Sequence, residues 1–330
     1  MDTTNLAPVA HEEGRALGTR TNWSMAPEVR VAGQDRITYG AVHLNVTDPR
    51  RSLEFWRDLI GLQAIDTVDD GIALGAGERA LLVLHPGAER GVGRADAGLY
   101  HLAIHLPDAG EFARLLARLI LAHVPQSPTD HTFSQATYVH DPDGIMLELT
   151  LETPGRFRSL EIGRDEVVMF DNQGRRRGPT EALDVEAALS HLGERDPFAA
   201  LPSGTVIGHV HLHVPDLPAA FAFYRDVVGF DEHAYMAPYG MADLRAGGAF
   251  PHRMALNNWH GPGARQPRRG TAGLRHFELL LREPGADLRL AARASAAGVR
   301  AERDAAGRQV LRDPAGNRIV IRSPVLPSES

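Results

Sequence analysis

The stretch AVHLNVTDPRRSLEFWRDLIGL (residues 41–62) returns as HVHLHVPDLPAAFAFYRDVVGF (residues 209–230), and this return constrains the fold more than any other feature. His43 falls on His211, Asp48 on Asp216, Trp56 on Tyr224 and Gly61 on Gly229, without a gap, at a constant offset of 168 residues. A second pair follows in the same order. GLYHLAIHL (98–106) matches GLRHFELLL (273–281), and DPDGIMLELT (141–150) matches DPAGNRIVIR (313–322). The 330-residue chain is therefore two copies of a unit of about 110 residues, joined by a segment at about 152–205. A repeat of this kind decides the architecture before local propensities do.

Each copy reads as strand, helix, then strands, twice over. AVHLNV alternates like a half-buried strand. The Leu53, Phe55-Trp56, Leu59-Ile60 spacing is helical, with Pro49 in the first turn and Gly61 after the last. The plan repeats as a strand over 99–106, a helix near 109–122 and strands near 135–140 and 145–150. The expected fold is α+β: two tandem domains, 37–151 and 206–323, each of paired βαβββ modules forming a curled sheet around a cavity. Residues 1–36 read as a flexible N-terminal arm, 152–205 as a linker with a helix, and 324–330 as a tail.

Composition narrows the function. A formal net charge of −7 gives no reason to expect nucleic acid as a partner. There is no cysteine, which excludes disulfides, thiolate metal sites and a cysteine nucleophile. Any metal must be held by His, Asp or Glu, and there are 16 histidines. No apolar run is long enough to span a bilayer, so no membrane partner is expected. The N-terminus lacks the pattern of a secretory signal, and a cytoplasmic location is expected.

In their order and double occurrence, the HVHL…FYRDVVGF, GLYH and DPDG/DPAG elements resemble the vicinal oxygen chelate superfamily over residues 38–322. That group includes glyoxalase I, bleomycin-resistance proteins and type I extradiol dioxygenases. The two-domain, catechol 2,3-dioxygenase-like branch is the most similar. The resemblance implies a metal ligand on the first strand of each module and a carboxylate on the last strand. In the N-terminal copy these are His43, His101 and Glu148. Strand alternation places each on the more polar face of its strand. Two imidazoles and one carboxylate form a facial triad of the kind used by non-haem Fe(II) oxygenases, with positions left open for substrate and O₂. Fe(II) is the expected ion, and Mn(II) suits the same ligands.

The C-terminal copy keeps His211 and His276 but has Val320 in place of Glu148, which puts the working site in the N-terminal copy. In some relatives the modules exchange partners, and His211 would then replace His43. Tyr138 and His131 match an active-site tyrosine and a substrate-side histidine of the extradiol pattern. His252, in FPHRMALNNW, matches the acid–base histidine of that pattern and reads as a relic of a duplicated site. In the N-terminal copy His85 is a substitute for it. His105 shares a face with His101 and reads as either a support for a ligand or a buried neutral histidine. His209 and His213 read as structural. A glyoxalase-type enzyme would need a fourth ligand, and RALLVLH (79–85), where it is expected, has no carboxylate.

The expected activity is that of an Fe(II)-dependent extradiol dioxygenase cleaving a small aromatic diol, with His43, His101 and Glu148 on the metal and His131 and Tyr138 catalytic. The alternatives are a glyoxalase-type isomerase or lyase using Zn, Ni or Mn, and a non-enzymatic ligand-binding or resistance protein. Free sheet edges and the arm leave room for a homo-oligomer.

Overall fold

The computed structural model describes residues 34–65, 71–93 and 95–323, with the backbone of one further strand, Asn22–Ser24. Apart from that strand and residues 34–36, the expected arm lies outside the described residues, as does the tail at 324–330. Four modules follow in sequence, each opening with a lead strand: Ile37–Val46, Gly98–Leu106, Val206–His213 and Gly273–Leu281. A helix follows each lead strand. In modules 2 and 4 it is α-helical (Ala109–Leu121 and Ala286–Ala296). In modules 1 and 3 a short α-helix (Pro49–Leu53, Leu217–Ala222) widens into a π-helical turn (Glu54–Leu59, Phe223–Val228). Asp48, Asp108 and Asp216 cap their helices by accepting hydrogen bonds from first-turn N–H groups.

The α+β class and the βαβββ modules are as the sequence predicts. The pairing of the modules is not. Modules do not close within residues 37–151 or within 206–323. The lead strand of module 2 pairs antiparallel with that of module 3, giving a nine-stranded sheet. The lead strand of module 1 pairs with that of module 4, giving an eight-stranded sheet. Alternation dictates which face of a lead strand is buried, but all four strands carry the same pattern, so it does not dictate the partner.

Within each half of the chain the two modules are held to one another on the helix side. Trp56 Nε1 of module 1 donates to Asp141 in the DPDG turn of module 2 at 3.3 Å. Its repeat mate Tyr224 donates to Asp313 in the DPAG turn of module 4 at 2.9 Å. Buried Arg118 donates to the carbonyls of Leu59 and Ile60, and Arg293 to those of Val227 and Val228, so each satisfies the open end of the neighbouring helix. The main core, including Trp56, Phe112, Tyr224 and Phe277, packs the apolar strand faces against these helices.

Segment 152–205 contains the expected helix, at Val185–Leu189. It also builds a sheet of its own, which the sequence reading did not anticipate. Phe157–Ile162 and Val167–Asp171 form its centre, flanked by Asn22–Ser24 and Arg176–Arg177. A second, smaller apolar cluster forms where this inserted sheet meets module 3, around Phe133, Phe157, Leu160, Met169, Met236 and Phe250. No helix among the described residues is long and apolar enough to cross a membrane.

Candidate metal centre

The register between the lead strands of modules 2 and 3 decides which histidines meet. His211 pairs with His101, Val210 with Leu102, and His209 with Ala103. A local two-fold axis thus passes between Leu102 and Val210 and exchanges His101 with His209. The Nε2 atoms of these two histidines lie 3.0 Å apart. Glu148 enters from the adjacent parallel strand, opposite Ala103. Its Oε2 lies 3.0 Å from His101 Nε2 and 2.9 Å from His209 Nε2. All three side chains are buried.

Three donors spaced in this way suit a metal ion. Cis ligands about 2.1 Å from an octahedral ion are about 3.0 Å from each other. The charge state agrees. Burial pushes the Glu148 carboxyl up, but His209 and His101 outweigh it and hold it well below the usual carboxylate range. Burial in turn holds both imidazoles down, His209 strongly. The cluster is therefore one buried carboxylate with two neutral imidazoles, a net negative charge that calls for a cation.

The tautomers follow from a hydrogen-bond chain. Glu152 Oε1 can only accept, so His105 Nδ1 donates to it at 2.7 Å. His105 Nε2 is then an acceptor and takes the Nδ1–H of His209 at 2.9 Å. The Nε2 lone pair of His209 is thereby aimed at Glu148 and His101, as a metal ligand requires. The chain needs Gly208, because a Cβ there would lie 2.0 Å from the His105 ring.

Of the three predicted ligands, the structure brings His101 and Glu148 together and leaves His43 out. His43 sits in the eight-stranded sheet, where its Nδ1 is 2.9 Å from His85 Nε2 and its ring stacks on His276 at 3.8 Å. The exchange of modules puts His43 there, and it moves His85 away from the centre too. The replacement weighed in the sequence, His211, is near but differently engaged. Asn257 accepts from Trp259 N–H through Oδ1, so its Nδ2 donates to His211 Nε2 at 2.9 Å. The His211 lone pair is used, and its other nitrogen carries the proton.

His209 is the residue that sequence reasoning missed. The repeat hides it, because its mate 168 residues earlier is Ala41. Spacing to the helix cap could have found it: His101 stands seven residues before Asp108, and His209 seven before Asp216.

The other candidates gather around this centre. His252 is no isolated relic. One of its ring nitrogens, with nitrogens of His101 and His211, belongs to a group whose atoms all lie within 4.8 Å of one another. Its Nδ1 is 2.8 Å from Asp243 Oδ1. Burial lowers the His252 pKa, but Asp243 more than offsets it and the net shift is upward. His131 and Tyr138 form a pair. The Pro179 carbonyl accepts from His131 Nδ1 at 2.8 Å, leaving Nε2 to accept from Tyr138 O–H at 2.9 Å. Burial beside Glu148 pushes the Tyr138 pKa well above its ordinary value. All of these groups face one cavity of about 760 Å³.

The same two-fold locates the fourth position at which a second carboxylate would stand. It exchanges Ala103 with His211, and therefore Glu148 with Ala255, the partner of His211 on Met254–Asn257. That strand, not RALLVLH, faces the centre, and it offers no ligand.

A four-module α+β fold with a paired-histidine and carboxylate centre between lead strands defines a family. The chain belongs to the glyoxalase/bleomycin resistance protein/dioxygenase superfamily, whose profile matches residues 35–149 and 206–321. It is 37% identical over 245 residues to a catechol-2,3-dioxygenase of Bacillus subtilis (strain 168), covering 73% of this chain and 82% of that one. Among solved structures it resembles a putative dioxygenase from Bacillus subtilis (TM-score 0.59, 17% identity, 87% of this chain and 86% of that one). A glyoxalase I mutant from Zea mays is also similar (TM-score 0.52, 15% identity, 88% and 94%), and both likenesses concern the fold.

Proposed function

We propose that this chain is a ring-cleaving extradiol dioxygenase that acts on a catechol-like diol and holds ferrous iron, or manganese in the same role, on His101, His209 and Glu148. The observation that carries this reading is the ligand count. Two histidines and one carboxylate converge, and the fourth position is Ala255. A set of three on one face leaves room for a bidentate diol and for O₂. The bound ion supplies a Lewis-acid and redox centre where the vicinal hydroxyls and O₂ are brought together.

The remaining work falls to side chains of this chain. His252, braced by Asp243, is placed to take a proton from a substrate hydroxyl. Tyr138 commits its own proton to His131, so its oxygen is free to accept from the other hydroxyl. Tyr138 remains protonated throughout, because burial beside Glu148 opposes a second negative charge. Both oxygen atoms of O₂ enter the product as the ring C–C bond beside the diol breaks, so no external reductant is needed. A glyoxalase-type isomerase is less well supported, since its fourth ligand would have to come from Ala255.

The test is anaerobic purification, metal quantification, reconstitution with Fe(II), and oxygen uptake with a panel of catechols. The expected result is about one ion per chain, uptake with a yellow ring-fission product, and loss of both in Glu148→Ala. Metal binding without uptake on any diol would overturn the reading, as would a protein that binds no metal.

A further inference from the structure

The cavity beside the metal centre is larger than a bare catechol can fill. At about 760 Å³ it lies in the upper part of the range for small-molecule sites, about 300–1,000 Å³. Its lining combines two chemistries. One part is the histidines, Glu148 and Tyr138. The other is apolar: Leu160, Val167 and Met169 of the inserted sheet, with Phe133, Met236 and Met241. These six belong to, or pack on, the second apolar cluster, which is separate from the main core. Tyr239, which also lines the cavity, donates its O–H to Gly163 O at 3.1 Å and ties module 3 to the insert.

The charge pattern is equally specific. The chain contains no lysine, and no arginine lines the cavity among the described residues. Arg156 and Arg177, which approach near Thr129, are drawn to Asp130 and Glu181 instead. A carboxylate on the substrate would find no guanidinium or ammonium group in the lining and would face Glu148 and Asp243. Unpaired burial of such a charge is strongly unfavourable.

We infer that the inserted sheet is the specificity wall of this cavity, and that the occupant is an uncharged aromatic diol bearing a large apolar substituent, aryl or long alkyl, lodged against Leu160, Val167 and Met169. This deepens the proposed function, since it names the substrate class for the same centre. Methionines suit such a wall, because an unbranched thioether adapts to a flat ring and makes favourable sulfur–aromatic contacts.

Two measurements separate this inference from the reaction itself. The first needs no turnover. Metal-free protein is titrated with 2-hydroxybiphenyl and with 2-hydroxyphenylacetate, following the fluorescence of Trp259, which lines the cavity. The biphenyl should bind at least ten times more tightly. Met169→Ala should weaken it several-fold, and Met169→Arg should reverse the order of the two ligands. Leu160→Ala serves as a second variant should the arginine impair folding. The second measurement is kcat/KM on the iron-loaded enzyme for 3-phenylcatechol against 3,4-dihydroxyphenylacetate, with a ratio above ten expected. Diol cleavage with equal or greater preference for the carboxylated ligand would overturn the specificity wall and leave the dioxygenase standing. Tight biphenyl binding without cleavage of any diol would uphold the wall and overturn the reaction.

Discussion

The nine-stranded and eight-stranded sheets are built to one plan, yet among the described residues only the nine-stranded one brings together a candidate metal centre. In the eight-stranded sheet the lead strands pair Phe277 with Val42, so the local two-fold there exchanges His276 with Ala41. Val320 pairs with Glu278 as Glu148 pairs with Ala103. Of the positions equivalent to the three candidate ligands, one keeps a histidine, His276, while the others hold Ala41 and Val320. A buried carboxylate survives as well, in a different place. Glu278 accepts from Arg308 and Arg322 and from the N–H of Ala41, and Gly40 leaves the room for it. In both sheets a buried carboxylate demands a countercharge. In one the demand is met by arginines, and in the other by histidines that leave it open to an ion. The two sheets thus satisfy a buried carboxylate in two ways, with guanidinium groups in one and imidazoles in the other.

The sharpest way to break this comparison is to remove one histidine from each sheet. His209→Ala should reduce bound metal to background and lower turnover at least 100-fold, on the order of 3 kcal/mol in transition-state stabilisation. His43→Ala should leave both the metal content and the turnover unchanged. Metal analysis and oxygen uptake on the two purified variants decide it. Loss of metal in His43→Ala would restore the assignment the repeat suggests and abolish the distinction between the sheets.

That assignment shows how far the sequence could be read. The repeat made the four modules, their order and their strand faces legible, because hydrophobic periodicity is local. His101, Glu148, Tyr138 and His131 were legible for the same reason: each lies within module 2, whose internal register the motifs preserve. Pairing between lead strands is long-range and near-degenerate in pattern, so His43 could not be told from its competitors. His209 was hidden by the alanine at its repeat position, and His252 looked idle only while module 3 was thought to close on module 4. The inserted sheet was not legible because its strands, Phe157–Ile162 and Val167–Asp171, are short and lie between the repeats, with no mate in the other copy to reveal them.

A smaller effect should sharpen the comparison one step away from the ligands. His105→Leu removes the acceptor for His209 Nδ1–H and leaves the His209 tautomer unfixed. Loss of such a support typically weakens metal binding about 10–100-fold. Chelator competition on His105→Leu should show a shift of that size. At the corresponding place in the other sheet, counting from His276 as His105 counts from His101, stands Leu280. Leu280→Ala should not move metal affinity. Equal shifts in the two variants would mean that general loosening, not the hydrogen-bond chain, is being read.

The last difference bears on stability rather than turnover. The second sheet buries histidines of its own, His43 and His276. Neither nitrogen of His276 has a hydrogen-bond partner among the described residues. Burial, aided by neighbouring positive groups, pushes His43 down to about 3 and His276 to about 2, from 6.5. With folded-state pKa values depressed, the unfolded chain binds more protons once the pH drops below 6.5, so stability declines from there towards pH 3. Above pH 6.5 both states are neutral and the pair contributes no slope. A His43→Val/His276→Leu variant should therefore lose less stability than the parent on acidification. The difference between pH 7.5 and pH 5 should be on the order of 4 kcal/mol, about 2 for each imidazole, in metal-free urea unfolding. Titrating groups of the nine-stranded sheet are common to both proteins and cancel in the difference. Parallel pH profiles would mean that these imidazoles are hydrated in solution and that the eight-stranded sheet does not seal them from water.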